Sequence, residues 1–187
     1  MYSTLQYWIK LYETFKFSSL CLDIEVTEFG GPISILGLYQ PKSGLIEHDV
    51  YIRGQNLTNE NLANAFRGCK MFIVFNGLSF DMPKIRSEFP NAIPKDIPVF
   101  DIFLFAKKLG LDTNLKVLET TLGVERLHSY SEQRRIAVKL WKQYKKYNDT
   151  NALNKLIEYN KQDAVNLYPI AEELVARATR RIEQNKV

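Results

Sequence analysis

The chain has 187 residues, 45% hydrophobic and 12% aromatic, with a formal net charge of +4 and two cysteines. That length supports one sizeable core and is short for two domains, while two cysteines supply neither a disulfide framework nor paired metal-ligand spacing. Lys10, Glu13 and Lys16 interrupt any N-terminal signal core, and no run of about 20 apolar residues exists to span a membrane. The expected setting is reducing and cytoplasmic, with Cys21 and Cys69 as buried thiols. His48 and His128 are isolated, so neither a zinc site nor a Ser/His triad can be assembled from them.

In chain order, Leu5, Trp8, Ile9, Tyr12 and Phe15 recur at helical steps. They predict an amphipathic helix over residues 1–17, leading into a single domain over 18–187. Residues 19–26, 33–39 and 45–52 read as strands separated by the turn signals Gly30-Gly31-Pro32 and Pro41-Lys42-Ser43-Gly44, an antiparallel meander. Thr58 or Asn59 caps a helix reaching about Arg67, and the apolar run Met71 to Phe75 suits a buried strand. A helix from about Ser79 to Glu88 and a strand at Pro98-Val99-Phe100 follow. Asp101 then caps a helix over 102–109, and Thr113 or Asn114 caps another over 115–122 that Gly123 ends.

The remainder reads as helical. Ile136, Ala137, Leu140, Trp141 and Tyr144 form an apolar stripe, and Arg135, Lys139, Lys142 and Lys146 a basic one. Leu153 to Leu167 makes a further helix, with Pro169 expected to kink or restart it. Residues 129–187 hold 12 Lys and Arg against 7 Asp and Glu, whereas residues 1–128 hold 13 against 14. An acidic partner would meet this basic third, although a solvated helical face explains the same surplus.

Four carboxylates stand out. Asp23 and Glu25 alternate in an apolar strand and so face the same way; Tyr159 and Asp163, four apart, share a helix face; Asp81 lies just inside a helix that follows a buried strand. Two carboxylates about 4 Å apart repel by about 4 kcal/mol at an effective dielectric near 20. If the segments converge, divalent cations are the natural means of keeping all four ionised.

The three segments resemble the motifs of the DEDD superfamily of 3′–5′ exonucleases: Asp23-x-Glu25 the first, Asn76-x-x-x-Phe80-Asp81 the second, and Tyr159-x-x-x-Asp163 the third in its tyrosine form. The intervening stretches Leu115-Lys116-x-Leu118-Glu119-x-x-Leu122-Gly123-Val124-x-Arg126, Leu140-Trp141-x-x-Tyr144 and Leu156-x-x-Tyr159-Asn160 are similar to the YprB-like ribonuclease H-like branch. The resemblance covers about Leu20 to Leu167. It departs where Val26 separates Glu25 from Thr27, a Thr that often follows the Glu directly, and at Glu132-Gln133-Arg134, where the branch often has a Gly.

The resemblance implies an α/β, ribonuclease H-like fold: a mixed sheet, meander first and parallel strands after, flanked by helices, with a helical C-terminal third. It implies a metal-dependent 3′–5′ exonuclease releasing nucleoside 5′-monophosphates from nucleic acid, with single-stranded DNA as the favoured substrate. Asp23 would bridge two Mg²⁺ or Mn²⁺ ions, Glu25 and Asp163 would hold one of them, and Asp81 would support the other. Tyr159, with a phenol pKa near ~10, suits orienting a water rather than acting as base. Asn76, Phe80 and Thr27 are the candidate substrate contacts, with core packing the equal alternative for Phe80. Arg134, Arg135, Lys139, Lys142 and Lys146 can track phosphates or simply face solvent. An endonuclease of the same fold and a noncatalytic nucleic-acid-binding subunit remain as alternatives.

Overall fold

The computed structural model describes residues 4–42, 45–126 and 136–184. In chain order it contains α1 (Leu5–Phe15), β1 (Ser19–Val26), β2 (Ile33–Lys42), β3 (Leu45–Ile52), α2 (Asn59–Ala65), β4 (Met71–Val74) and α3 (Asp81–Glu88). There follow β5 (Val99–Asp101), α4 (Ile102–Leu109), α5 (Leu115–Leu122), α6 (Ile136–Tyr147) and α7 (Thr150–Gln184). The five strands form one sheet in the order β3-β2-β1-β4-β5. β1–β2 and β2–β3 are antiparallel, and β1–β4 and β4–β5 are parallel. The expected mixed sheet, meander then parallel strands, is present.

β1 lies at the centre, and its alternation divides the core. Leu20, Leu22 and Ile24 point to one face, where they pack with Leu62 and Phe66 near α2 and with Met82 and Ile85 of α3. Cys21 points to the other, among Tyr12 of α1, Phe105 of α4, and Leu167, Ile170 and Leu174 of α7. Asp23 and Glu25 share the parity of Cys21, so the strand presents them on the side that α7 covers. A third cluster, with Ile35 of β2, Leu140 and Trp141 of α6 and Leu156 of α7, fastens α6 to the helix behind the sheet. On α1, Trp8 and Tyr12 set their rings against Phe100, with centroids 6.0 and 5.0 Å away, and the Tyr12 hydroxyl donates to Glu172 at 2.6 Å.

Capping follows the chemistry of the sequence. Thr58 accepts from the Asn61 N–H, Asp101 caps α4, and of the two candidates before α5 it is Asn114 that accepts from the first turn. Gly123 ends α5 in the left-handed region at φ 71°.

Four expectations need correction. Pro41 and Lys42 belong to β2 rather than to a turn. The β1 ladder ends at Tyr39, so the missing proline N–H falls where β2 pairs with β3 alone. α2 stops at Ala65, short of Arg67. Cys69 is half-buried, unlike the fully buried Cys21. α7 runs unbroken through Pro169 from Thr150 to Gln184. An interior proline costs about 3 kcal/mol, but α7 buries Leu167, Ile170, Leu174 and Val175, each stabilising by about 1.5–3 kcal/mol. Tertiary packing therefore outweighs the local break. His128, Arg134, Arg135 and the side chain of His48 lie outside the described residues. No described helix is long and apolar enough to cross a membrane.

Candidate metal centre

β1 and α7 bring the strand and helix carboxylates together. One oxygen from each of Asp23, Glu25 and Asp163 lies within 4.8 Å of the others, although the residues are far apart along the chain. In the β1–β2 ladder Asp23 faces Gly37, which has no side chain to compete for the space. Asp23 and Glu25 are half-buried and Asp163 is buried, so the oxygens are recessed but reachable.

Asp81 falls outside this threefold group. It is buried at the first position of α3 and accepts a hydrogen bond from the backbone N–H of Ile24, between the two β1 acids. Its charge acts on both Asp23 and Glu25. The loop before it is held tightly. Asp101 at the end of β5 accepts from Asn76 N–H (3.0 Å) and Leu78 N–H (3.1 Å), as well as from Phe103 N–H (3.1 Å) in α4. Asn76 takes φ 55°, and Gly77 lies so close to β4 that a Cβ there would meet the Val74 side chain at 2.6 Å. Any larger residue would push the Asn76–Phe80 loop off the sheet end.

Of the candidate substrate contacts, Asn76 is exposed and accepts from the Ser79 hydroxyl at 2.7 Å. Phe80 is 46% exposed, which rules out core packing as its role. Thr27 is half-buried and stands at the start of the β1–β2 turn, lining a groove shared with α6.

Electrostatics separate the carboxylates into two kinds. Burial first, then the charges of Asp163, Glu25 and Asp81, raises the pKa of Asp23 well above the usual carboxylate range. Burial with Asp163 and Asp81 pushes Glu25 up to about 8, and burial with Asp101 pushes Asp81 up to about 7 despite backbone hydrogen bonds that oppose it. Among the described residues no Lys or Arg pairs with Asp23, Glu25 or Asp81. Tyr159 is pushed up too, by burial and by Asp163, Glu25 and Asp23, so its phenol stays protonated and can donate a hydrogen bond at neutral pH.

Asp163 differs because Arg126 pairs with it and with Glu119 at once. Glu119 in turn accepts from Asn166 at 2.8 Å, and Asn166 from Gln162 at 2.8 Å, closing a buried network between α5 and α7. The Asp163 pKa is still raised by burial, with Arg126 pulling the other way. Asn160 donates to both the backbone oxygen (3.1 Å) and Oδ2 (2.7 Å) of Asp23, while its own Oδ1 is buried without a hydrogen-bond partner.

Arg126, Glu119 and Asn160 were not among the sequence candidates. Glu119 and Arg126 lie between the second and third motifs, where an acidic residue on an apolar helix face and an Arg just beyond its glycine cap were the available signals, and Asn160 lies inside the third with no such signal. The donor set is all hard oxygen, which fits Mg²⁺, Mn²⁺ or Ca²⁺ better than softer ions. Uncompensated acids with raised pKa values are what such an ion would neutralise.

The chain matches the family model described as the RNase_H superfamily over residues 20–175, a span that contains Asp23, Glu25, Asp81 and Asp163. No curated protein and no solved structure matches it. A mixed sheet of this order with an acidic cluster on its central strand agrees with that match and points to metal-dependent nuclease chemistry. The chain belongs to the RNase_H superfamily.

Proposed function

We propose that the protein is a 3′–5′ exonuclease of the DEDD type with a tyrosine in its third motif, hydrolysing single-stranded nucleic acid to nucleoside 5′-monophosphates with Mg²⁺ or Mn²⁺. The observation that carries this reading is the meeting of Asp23, Glu25 and Asp163 oxygens within 4.8 Å, with Tyr159 one helical turn from Asp163.

Asp23, Glu25 and Asp163 would hold one ion, and Asp23 with Asp81 a second. Bound there, a pair of divalent ions would stabilise the attacking and leaving oxygens of an in-line displacement. The chain's own residues supply the rest. Asn160 orients Asp23 through two hydrogen bonds, and Arg126 holds one oxygen of Asp163, leaving the other free. Tyr159 keeps its proton and donates it as a hydrogen bond, so it positions the attacking water rather than deprotonating it. The exposed ring of Phe80, beside Asp81, is free to stack on a terminal base. Asn76 is held by Asp101 through its backbone and is exposed at the same edge, its amide oxygen accepting from Ser79.

The test uses 5′-labelled single-stranded DNA, duplex DNA and RNA incubated with Mg²⁺. A ladder shortening one nucleotide at a time from the 3′ end is the expected result. Discrete internal fragments would instead make the protein an endonuclease, and binding without cleavage would make it a noncatalytic subunit.

A further inference from the structure

A groove of about 480 Å³ lies between the β1–β2 turn and α6. Thr27 and Glu28 line one wall, and Trp141, Lys142, Lys145 and Lys146 the other. Thr27 lies two residues beyond Glu25, just past the end of β1 and a register irregularity at Glu25/Val26, so the groove opens where the strand that carries Asp23 and Glu25 ends. We infer that this groove binds the sugar-phosphate backbone of single-stranded nucleic acid and feeds its end to the carboxylates. The inference rests on the nuclease reading for its direction, but not for the binding itself.

Three features select this occupant. Lysines three and four residues apart on a helix have Cβ atoms about 5–6 Å apart, a spacing suited to neighbouring phosphates on an extended strand. Aromatic rings stand next to them: Trp141 is buried in the core, and the rings open to a ligand are the half-buried Tyr144 and the exposed Tyr147. Lys145 Nζ lies 5.9 Å from the ring centroids of Trp141 and Tyr144, and Lys146 Nζ lies 5.0 Å from that of Tyr147, which is 67% exposed. At the tip of the opposite wall, Phe29 is 97% exposed and offers a stacking surface to any base. An acidic peptide would use the charges but not these rings.

Lys142 and Glu28 bridge the groove at 3.6 Å, and both are exposed. So exposed a pair contributes little to stability, and a phosphate can take the place of Glu28 on Lys142. The turn is steadied from its other side by Lys84 of α3, which donates to the Gly30 carbonyl at 3.4 Å. Within the turn, Thr27 N–H donates to the Pro32 carbonyl and Gly31 N–H to the Glu28 carbonyl, each at 2.9 Å, independently of the bridge.

The experiment measures fluorescence anisotropy of a 5′-labelled oligothymidylate of about 20 nucleotides without divalent ion, so that no cleavage occurs. The full chain is compared with K142A/K145A/K146A and with Phe29→Ala. Single-strand binding changes its logarithmic salt slope by about 0.7 per phosphate contact, so the triple variant is expected to flatten the slope by about two and to weaken binding about tenfold or more. Phe29→Ala is expected to weaken it about fivefold. The circular dichroism spectrum and urea midpoint of both variants are expected to match those of the wild type, which separates lost contacts from lost folding.

Unaltered affinity and salt slope in the triple variant would overturn the inference. So would displacement of the oligothymidylate by polyglutamate as readily as by unlabelled strand. If no form of the protein hydrolyses any phosphodiester while the variants still lose the strand, the groove stands and the nuclease reading falls. If hydrolysis is present and strand binding ignores the lysines, the groove alone falls.

Discussion

Two acidic groups meet on α7, and they are built oppositely. On one side of Asp163, Glu119, Arg126, Asn166 and Gln162 satisfy one another in a closed, buried network. On the other side, Asp23, Glu25 and Asp81 face no Lys or Arg among the described residues and hold their protons far above the ordinary carboxylate range. Asp101, a third buried acid, shows that this fold can also satisfy a carboxylate with backbone N–H groups alone. The chain thus has the means to neutralise buried acids and leaves them unused at one place. Burial of unpaired charge costs several kcal/mol per ion, and a divalent cation held by these acids would offset that cost.

The largest way to break this contrast is on the uncompensated side. Asp23→Ala should lower Mg²⁺-dependent hydrolysis by about three orders of magnitude or more while the circular dichroism spectrum stays native. A fully active Asp23→Ala protein would reject the assignment. On the paired side the effect should fall on stability instead. Arg126→Ala leaves Glu119 and Asp163 buried without their cation, and urea unfolding should show a loss of about 3–5 kcal/mol. A loss under about 1 kcal/mol would mean that the network behaves like a surface pair.

Smaller effects sharpen the same boundary. Mg²⁺ or Mn²⁺ at about a hundred times its dissociation constant should stabilise the protein by about 2.7 kcal/mol, read as a rise in melting temperature. Asp163→Asn should shrink that rise, and an undiminished rise would remove Asp163 from the ligand set. The pH response of the metal-free protein follows from Glu25 near 8 and Asp81 near 7. Unfolded carboxylates titrate near ~4, so across the window from there to about 8 the folded state binds more protons than the unfolded one. Stability contributed by these groups is therefore present at low pH and lost as pH rises. In EDTA the melting temperature should fall between about pH 5 and pH 8, and Glu25→Gln should flatten the decline. A metal-free melting temperature indifferent to pH would show that these acids are better solvated than their burial implies.

Much of the fold was legible in local signals. The β1 alternation, the Asp101 and Asn114 caps and the Gly123 stop each depend on residues within a turn of one another. The carboxylates were legible for a different reason: charged residues in apolar segments need a partner, whichever it is. What escaped was set over long range. Pro169 forbids a helix only locally, and the apolar stripe of α7 behind the sheet overrides it. Pro41 reads as a turn until the β1 ladder is seen to stop two residues earlier. Asn160 carries no local mark, because its partner Asp23 is 137 residues away, and Arg126, although only seven residues from Glu119, also pairs with Asp163, 37 residues on. Asp81 lies outside the threefold group but close enough for its charge to act on Asp23 and Glu25, and it is tied to the Ile24 backbone.

The central claim is that Asp23, Glu25 and Asp163 hold a divalent cation. Electron paramagnetic resonance titration with Mn²⁺ reads this directly, because the six-line signal of free Mn²⁺ fades as the ion is bound. The account predicts saturable loss of the free signal with the wild-type chain and little or none with Asp23→Ala or Asp163→Asn. Equal binding by all three proteins, or none by the wild type, would contradict it.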